Sequence, residues 1–385
     1  MNNPPSQSDL WMLLNGLPNI GPVTIRRLLD AFGPDPRRIL EANVDELKAV
    51  KGVSSKIAGL LSDPLKHFDL EFEKRKLSEM GGDFVDHLSD EYPELLRKIY
   101  DSPVGLYRLG SFSLRKNQVA IAIVGSRRTS MYGQRIARQF AQRLASMGVC
   151  VVSGLARGID TVAHEGALDA GGDTIAVLGN GLDIVYPPEN LELYRRLREK
   201  GAIFSEFTLG RRADRQTFPM RNRIVSGICD GVLVVESDVN GGSMITARFA
   251  AEQGRQVYAI PGRIDQASSR GCHALIKDGA MMVTGVEDIL DDLRHLSDLF
   301  PSTVQEGVEI ETQKETSKNV FAEIKSAEGR KILKLLENDD ALGLDEISDA
   351  TGLPLPVVSA QLMMLELNRV VIKQLDGSFL INRGG

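Results

Sequence analysis

Residues 119–148 read VAIAIVGSRRTSMYGQRIARQFAQRLASMG. From Val119 to Val124 the run is wholly apolar, as a strand buried on both faces requires. A turn through Gly125, Ser126 and Arg127 follows, and a helix is expected from about Ser130, with Ile136, Phe140 and Leu144 on one face and Gly148 as its stop. A parallel strand leading into a helix offers backbone N–H groups and a partial positive charge at the turn, which suits an anion. In that role Gly125 admits the backbone to a phosphate, Ser126 donates a hydrogen bond and Arg127 adds full charge. Taken alone, the segment is equally well any strand-to-helix turn. It has neither the G-x-G-x-x-G spacing nor G-x-x-x-x-G-K, so neither NAD nor a P-loop nucleotide is expected, and no cofactor.

The same unit recurs. Residues 149–172, VCVVSGLARGIDTVAHEGALDAGG, end a strand at Ser153 and Gly154 and place Arg157 and Gly158 in the loop. Asp160 is expected to cap the next helix, and His164, one turn on, to be a paired structural histidine rather than a base. In residues 236–254, ESDVNGGSMITARFAAEQG, the turn Gly241-Gly242-Ser243 opens a third helix. Further strand-like runs are TIAVLG (174–179), GVLVVES (231–237) and QVYAIPG (256–262). Apolar β-branched runs alternating with helices predict an α/β fold with a mainly parallel sheet. Parallel strands end on one edge, so the three loops are expected on a common rim.

Between them, residues 210–227, GRRADRQTFPMRNRIVSG, carry Arg211, Arg212, Arg215, Arg221 and Arg223 around Phe218, with Asp214 the only acid. Cations that track phosphates and a ring that accepts an unpaired base suit single-stranded nucleic acid. The alternative is a solvated basic loop with Phe218 anchored in the core.

The whole-chain charge of −6 speaks against a nucleic-acid binder, but a total hides local bias. Residues 119–290 hold 18 Arg and only 2 Lys against 18 Asp and Glu, and guanidinium forks grip phosphate better than ammonium groups do. No apolar run is long enough for a membrane helix, and the start lacks a secretory pattern, so a cytoplasmic protein without membrane contact is expected. Cys150, Cys229 and Cys272 lie far apart and read as buried reduced thiols. No nucleophile–base pair or metal cluster emerges, and His164 and His273 are isolated; neither a catalytic nor a metal site is expected.

Together GSRRTSMYG (125–133), VSGLARGIDTVAHEGAL (152–168), GLDIVYPPEN (181–190), FPMRNRIVSG (218–227) and ESDVNGGSMITARFAAEQGRQVYAIPG (236–262) resemble the DNA processing protein A family, DprA or Smf. The resemblance is dense from about 110 to 290. It implies an extended Rossmann-like core, a homodimer, single-stranded DNA binding, and loading of the RecA recombinase during natural transformation. It also implies DNA-binding residues: Gly125, Ser126 and Arg127 first, then Ser153, Gly154, Phe218, Arg221, Asn222 and Gly241-Gly242-Ser243. Arg157 and Arg223 join them from the residue pattern alone. The competing function is a Rossmann-like enzyme hydrolysing nucleoside monophosphates. Thr246 follows the Gly-Gly turn suitably for that, but Glu252 lies too far along and the P-G-G-x-G-T pattern is absent.

The flanks read as separate modules. Residues 1–80 form a helical, helix-hairpin-helix or SAM-like domain, and 81–295 the core. Residues 296–325 form a polar linker and 326–385 a winged-helix-like domain. In LPNIGPVTIRRLLDAFG (17–33) and ELKAVKGVSSKIAGLL (46–61) each hairpin keeps one of its two glycines, with Asn19 and Ser54 at the other positions. A structural role is therefore expected for this domain, while Arg26, Arg27, Lys51 and Lys56 leave a weak DNA role open. From Glu328 onward 6 Arg and Lys face 9 Asp and Glu, and the helix in the recognition position has no basic residue before its end. Protein contact or scaffolding is expected there rather than duplex reading.

Overall fold

A computed structural model describes residues 5–110, 112–294, 327–336, 342–367, 370–373 and 378–381. They fall into two compact units, divided at Pro301 and Ser302. The expected linker, 296–325, lies outside the described residues.

The first unit opens with helices α1 (Gln7–Gly16), α2 (Pro22–Phe32), α3 (Pro36–Glu41), α4 (Val44–Ala49), α5 (Ser55–Ser62) and α6 (Leu70–Glu79). Ser6 and Asp9 form a reciprocal cap on α1. Trp11, Leu14, Leu28, Ile39, Leu47 and Leu61 fill the core between the helices. The hairpin turns keep their backbone shape although each lacks one glycine. Asn19 has φ 61° where the second copy has Gly52 at φ 91°, because asparagine tolerates the left-handed region better than other side-chained residues. The turn survives loss of its glycine, and Ser54, in the other glycine position, caps α5 by accepting the Ile57 N–H.

The core is a nine-stranded sheet in the order β1-β2-β6-β5-β4-β3-β7-β8-β9. Its strands are β1 (Gly82–Asp86), β2 (Gly105–Leu109), β3 (Ala120–Val124), β4 (Cys150–Ser153), β5 (Thr174–Leu178), β6 (Ala202–Ser205), β7 (Gly231–Val234), β8 (Gln256–Ala259) and β9 (Met281–Met282). From β6 to β9 all neighbours pair in parallel, and β2 and β1 extend the sheet antiparallel beyond β6. Helices α7 (Glu94–Arg97), α8 (Met131–Ser146), α9 (Ile159–Asp169), α10 (Leu191–Lys200), α11 (Thr217–Ile228), α12 (Gly242–Glu252), α13 (Arg270–Lys277) and α14 (Val286–Arg294) complete it.

Strand β3 shows how the layers arise. Ala120, Ala122 and Val124 pack with Ile224 and Val225 of α11 and Ala247 and Ala250 of α12. Ile121 and Ile123 point the other way, to Ala137, Phe140 and Leu144 of α8 and Val162 and Ala163 of α9. The period-two alternation buries both faces, each large aliphatic side chain contributing about 1.5–3 kcal/mol. Strands β1, β2, β6 and β9 were not expected from the sequence. In β6 the apolar run is only Ala202–Phe204, between Gly201 and Ser205, and β9 is two residues long; β1 carries Asp83 and Asp86 and β2 carries Arg108, so none has a readable apolar run. All three cysteines are free and buried, as expected.

The second unit holds α15 (Ala327–Leu336), α16 (Leu344–Thr351) and α17 (Leu355–Leu367), then an antiparallel pair of β10 (Val371–Lys373) and β11 (Phe379–Ile381). Ile332, Leu336, Ile347, Val358, Leu362 and Phe379 form its own core. Three helices and a hairpin make the expected winged helix; the Asp376-Gly377 turn lies outside the described residues. No helix of the described residues is long and apolar enough to cross a membrane.

Candidate nucleic-acid interface

Strands β5, β4 and β3 are neighbours, and the loops leaving their carboxyl ends line one cleft. Arg127 comes from the loop after β3, Gly154, Ala156 and Arg157 from the loop after β4, and Leu178, Gly179 and Asn180 from the end of β5. Tyr186 and Pro187 rise beyond them, and Phe218 enters from α11. The guanidinium carbon of Arg127 lies 4.9 Å from the Phe218 ring centre. Tyr186 lies 5.8 Å from Phe218, the two rings tilted by 42°.

Ligands of open parallel sheets usually sit where the strand order reverses. Here that place is between β3 and β7, and Glu236 closes it. Its carboxylate accepts the Ser130 N–H and the Thr129 hydroxyl at 2.9 Å, and the Ser130 hydroxyl at 2.5 Å. Its carbonyl accepts the Ser126 N–H at 2.7 Å. The start of α8 therefore already holds an anion, which corrects the expectation of a phosphate there. The Ser126 hydroxyl closes its own turn with the N–H and carbonyl of Arg128. A Cβ on Gly125 would strike the Ile159 side chain and the Glu236 carbonyl, so this glycine permits close loop packing. Of the three residues, Arg127 faces solvent most fully.

The second loop is held from beneath. The buried Asp160 carboxylate accepts the Gly154 N–H at 3.1 Å and the Ala156 N–H at 3.4 Å. It is thus not the cap of α9, whose first turn it already occupies; it ties down the preceding loop instead. Burial raises its pKa, against the pull of nearby Arg221. Ser153 is fully buried, its hydroxyl donating to the Ile123 carbonyl at 2.7 Å. His164 is likewise buried and bonded to Thr174 at 2.8 Å, and burial first, then Arg221, pushes its pKa down to about 3.

Two expected phosphate contacts are corrected. Arg221 is 4% exposed, and its guanidinium donates to the carbonyls of Gly154 and Val177, bracing the cleft from behind. Burial pulls its pKa down to about 10, still well above neutrality. Arg223 is 3% exposed and grips both oxygens of Glu206 at 2.6 Å and the Asp101 carbonyl at 2.6 Å. Neither charge reaches the rim: two positions apart, they leave α11 on different sides, Arg221 toward the ends of β4 and β5 and Arg223 toward Asp101 and Glu206, and both sides are enclosed.

Other expected residues sit at the margin. Arg157 pairs with exposed Glu189 at 2.6 Å, an exchange that solvent makes cheap to break. Asn222 donates to the Gly242 carbonyl at 3.4 Å, bringing the third turn beside α11. Gly241 stands at the α12 start, and the Ser243 hydroxyl is turned inward to Ser237 at 2.8 Å. Among the described residues, Arg127, Arg128, Arg212 and Arg215 are exposed and have no carboxylate partner, whereas Arg211 is paired with Asp214. Tyr186 and Glu236 were not singled out from the sequence. An aromatic before two prolines in GLDIVYPPEN was the available signal for Tyr186; for Glu236, a strand-end acid, there was none. The described residues contain no cluster of three potential metal ligands.

Residues 83–294 match the family model of the DNA recombination-mediator protein A, 319–377 the DprA winged helix domain, and 12–66 a SAM-like helix-hairpin-helix tandem. The chain is 41% identical over 280 residues to protein Smf of Escherichia coli, covering 72% of each. It is 45% identical over 203 residues to the DNA processing protein DprA of Streptococcus pneumoniae, covering 53% of this chain and 71% of that protein. The crystal structure of that pneumococcal protein matches with a TM-score of 0.65 at 35% identity, over 74% of this chain and 97% of the other. A Helicobacter pylori DprA structure, described for its single-stranded DNA binding mode, matches with a TM-score of 0.51 at 28% identity, over 57% and 98%.

Proposed function

We propose, for a chain that belongs to the DNA recombination-mediator protein A family, that the cleft beyond β3, β4 and β5 binds single-stranded DNA without acting on it chemically. One observation carries this: Arg127, exposed and without a carboxylate partner, lies over Phe218 with Tyr186 alongside in that cleft. A guanidinium for phosphate beside two rings for an unpaired base is the pairing that single strands need, and duplex bases, already stacked, do not use it.

In this arrangement Arg127, Arg128, Arg212 and Arg215 follow the backbone, and Arg157 joins once it leaves Glu189. Gly125, Ser126, Ser153, Gly154 and Arg221 form the frame, and Asn222 carries the Gly241-Gly242-Ser243 turn beside it. The family resemblance supports the wider role: protecting strands taken up in natural transformation and passing them to the RecA recombinase, as a cytoplasmic homodimer.

Fluorescence anisotropy with labelled single- and double-stranded oligonucleotides, beside a nucleoside monophosphate hydrolysis assay, tests the proposal. Single strands bind more tightly and no hydrolysis occurs. Arg127→Ala weakens binding and lowers the slope of log affinity against log salt by about 0.7. Phe218→Ala loses roughly 1–3 kcal/mol of stacking with little change in that slope. Hydrolysis at a steady rate, or unchanged affinity in both variants, refutes it.

A further inference from the structure

The loop that presents Arg212 and Arg215 leaves the end of β6 and is not held by the sheet alone. Asn15, at the end of α1, donates from its side chain to the Glu206 carbonyl at 2.9 Å. Glu73, in the first turn of α6 and 4% exposed, accepts the Leu209 N–H at 2.8 Å. The Leu209 side chain packs against the cluster containing Met12 and Leu13 of α1 and Leu70 and Leu77 of α6. On the core side the Gly210 N–H donates to Asp183, and the Gly181 N–H to the Arg211 carbonyl, both at 2.8 Å. Gly210 itself has φ 76°, so the chain turns sharply outward where the arginines begin. One edge of this loop is thus seated on the N-terminal helices and the other on the loop that follows β5.

We infer that Glu73 and Asn15 are positioning residues of the single-strand site: through Leu209 and Glu206 the N-terminal helical domain sets where Arg212 and Arg215 stand. This rests on the DNA-binding reading of the cleft and extends it to residues that touch no DNA themselves. A buried carboxylate that accepts a backbone N–H fixes one position of the loop. Without that acceptor the loop has more conformations, and an arginine must be brought back to the phosphate at an entropic cost on each binding event.

The test uses the full chain and a labelled oligo-dT, titrated over a salt series by fluorescence anisotropy. The variant R212A/R215A should weaken binding several-fold and lower the salt slope by about 1.4, or 0.7 for each phosphate. Glu73→Leu should lower the slope similarly, Glu73→Gln should retain it because an acceptor remains, and E73L/R212A/R215A should lose no more than R212A/R215A. A merely structural Glu73 would give losses that add; additive losses, or a wild-type slope in E73L, overturn the inference. Should E73L melt far below the parent, Asn15→Ala supplies the measurement, and an unchanged slope in it overturns the inference equally. If the parent fails to bind oligo-dT, or Arg127→Ala binds as the parent does, the DNA-binding reading falls and this inference with it. If Arg127→Ala weakens binding but R212A/R215A does not, only the role of the loop falls.

Discussion

Arginine identity says little until burial is known. Arg127 and Arg221 lie on either side of the same loop, yet one is exposed and the other is enclosed between two carbonyls. His164 shows the same dependence for protonation. Thr174 donates its hydroxyl hydrogen to the Val151 carbonyl at 2.8 Å, so the His164 Nδ1 must donate to Thr174. The Nε2 atom is left buried without a partner, and a proton there would be an unpaired buried charge. The folded pKa of about 3 lies below the ordinary 6.5, so between these values the unfolded chain binds a proton that the folded chain refuses. The resulting stability is complete above pH 6.5, declines as pH falls, and is gone below about 3. Its slope is about 1.4 kcal/mol per pH unit. Denaturant unfolding at pH 7 and pH 5 checks this: His164→Asn should show a smaller difference than the parent, and an equal difference would contradict it.

At the scale of elements, the cleft depends on how closely three loops approach. Gly158, at φ 81°, brings the start of α9 against the Ser126 carbonyl. Gly154 lies so near the Arg221 guanidinium that a Cβ there would overlap it. Gly154→Ala must therefore displace Arg221 from the Gly154 and Val177 carbonyls, an overpacking that costs about 1–3 kcal/mol. Thermal unfolding should show a lowered midpoint, together with weaker oligo-dT binding as the β4 loop shifts; a parental midpoint would mean that Arg221 yields without cost. The element pattern was readable in advance for β3, β4, β5, β7 and β8, whose β-branched apolar residues run on to a Gly, Ser or Pro turn. It was unreadable for β6, with three apolar residues between Gly201 and Ser205, and for β9, with two residues in all, because such runs carry no period. It misled at Asp160, where an acid near a helix start was taken for a cap and instead secures the loop before it.

At the scale of the molecule, the two compact units divide charge and chemistry between them. The exposed Arg127, Arg128, Arg212 and Arg215 all belong to the first unit, while the second carries more acids than bases over its winged helix. Helix α17, LPVVSAQLMMLEL, offers no cation to a phosphate. Removing every residue after Phe321 should leave single-strand affinity and salt slope within about twofold of the full chain. A larger loss in the same anisotropy titration would assign nucleic-acid contact to the winged helix.

From the order of its residues alone, this chain is determined to be a mainly parallel α/β core between a helical module and a winged helix, with Arg127 and Phe218 at its glycine- and arginine-rich motifs. Those features depend on local pattern: unbroken apolar runs, glycines at turns and helical spacing, all of which act over a few neighbours. Tertiary structure alone decided that Arg221 and Arg223 are enclosed, that Glu236 occupies the anion position at α8, and that Tyr186 stands beside Phe218. It also decided that Glu73 reaches the loop of Arg212. The reason is distance along the chain: each of these contacts joins residues separated by tens to more than a hundred positions, and burial and charge pairing are properties of neighbours in space.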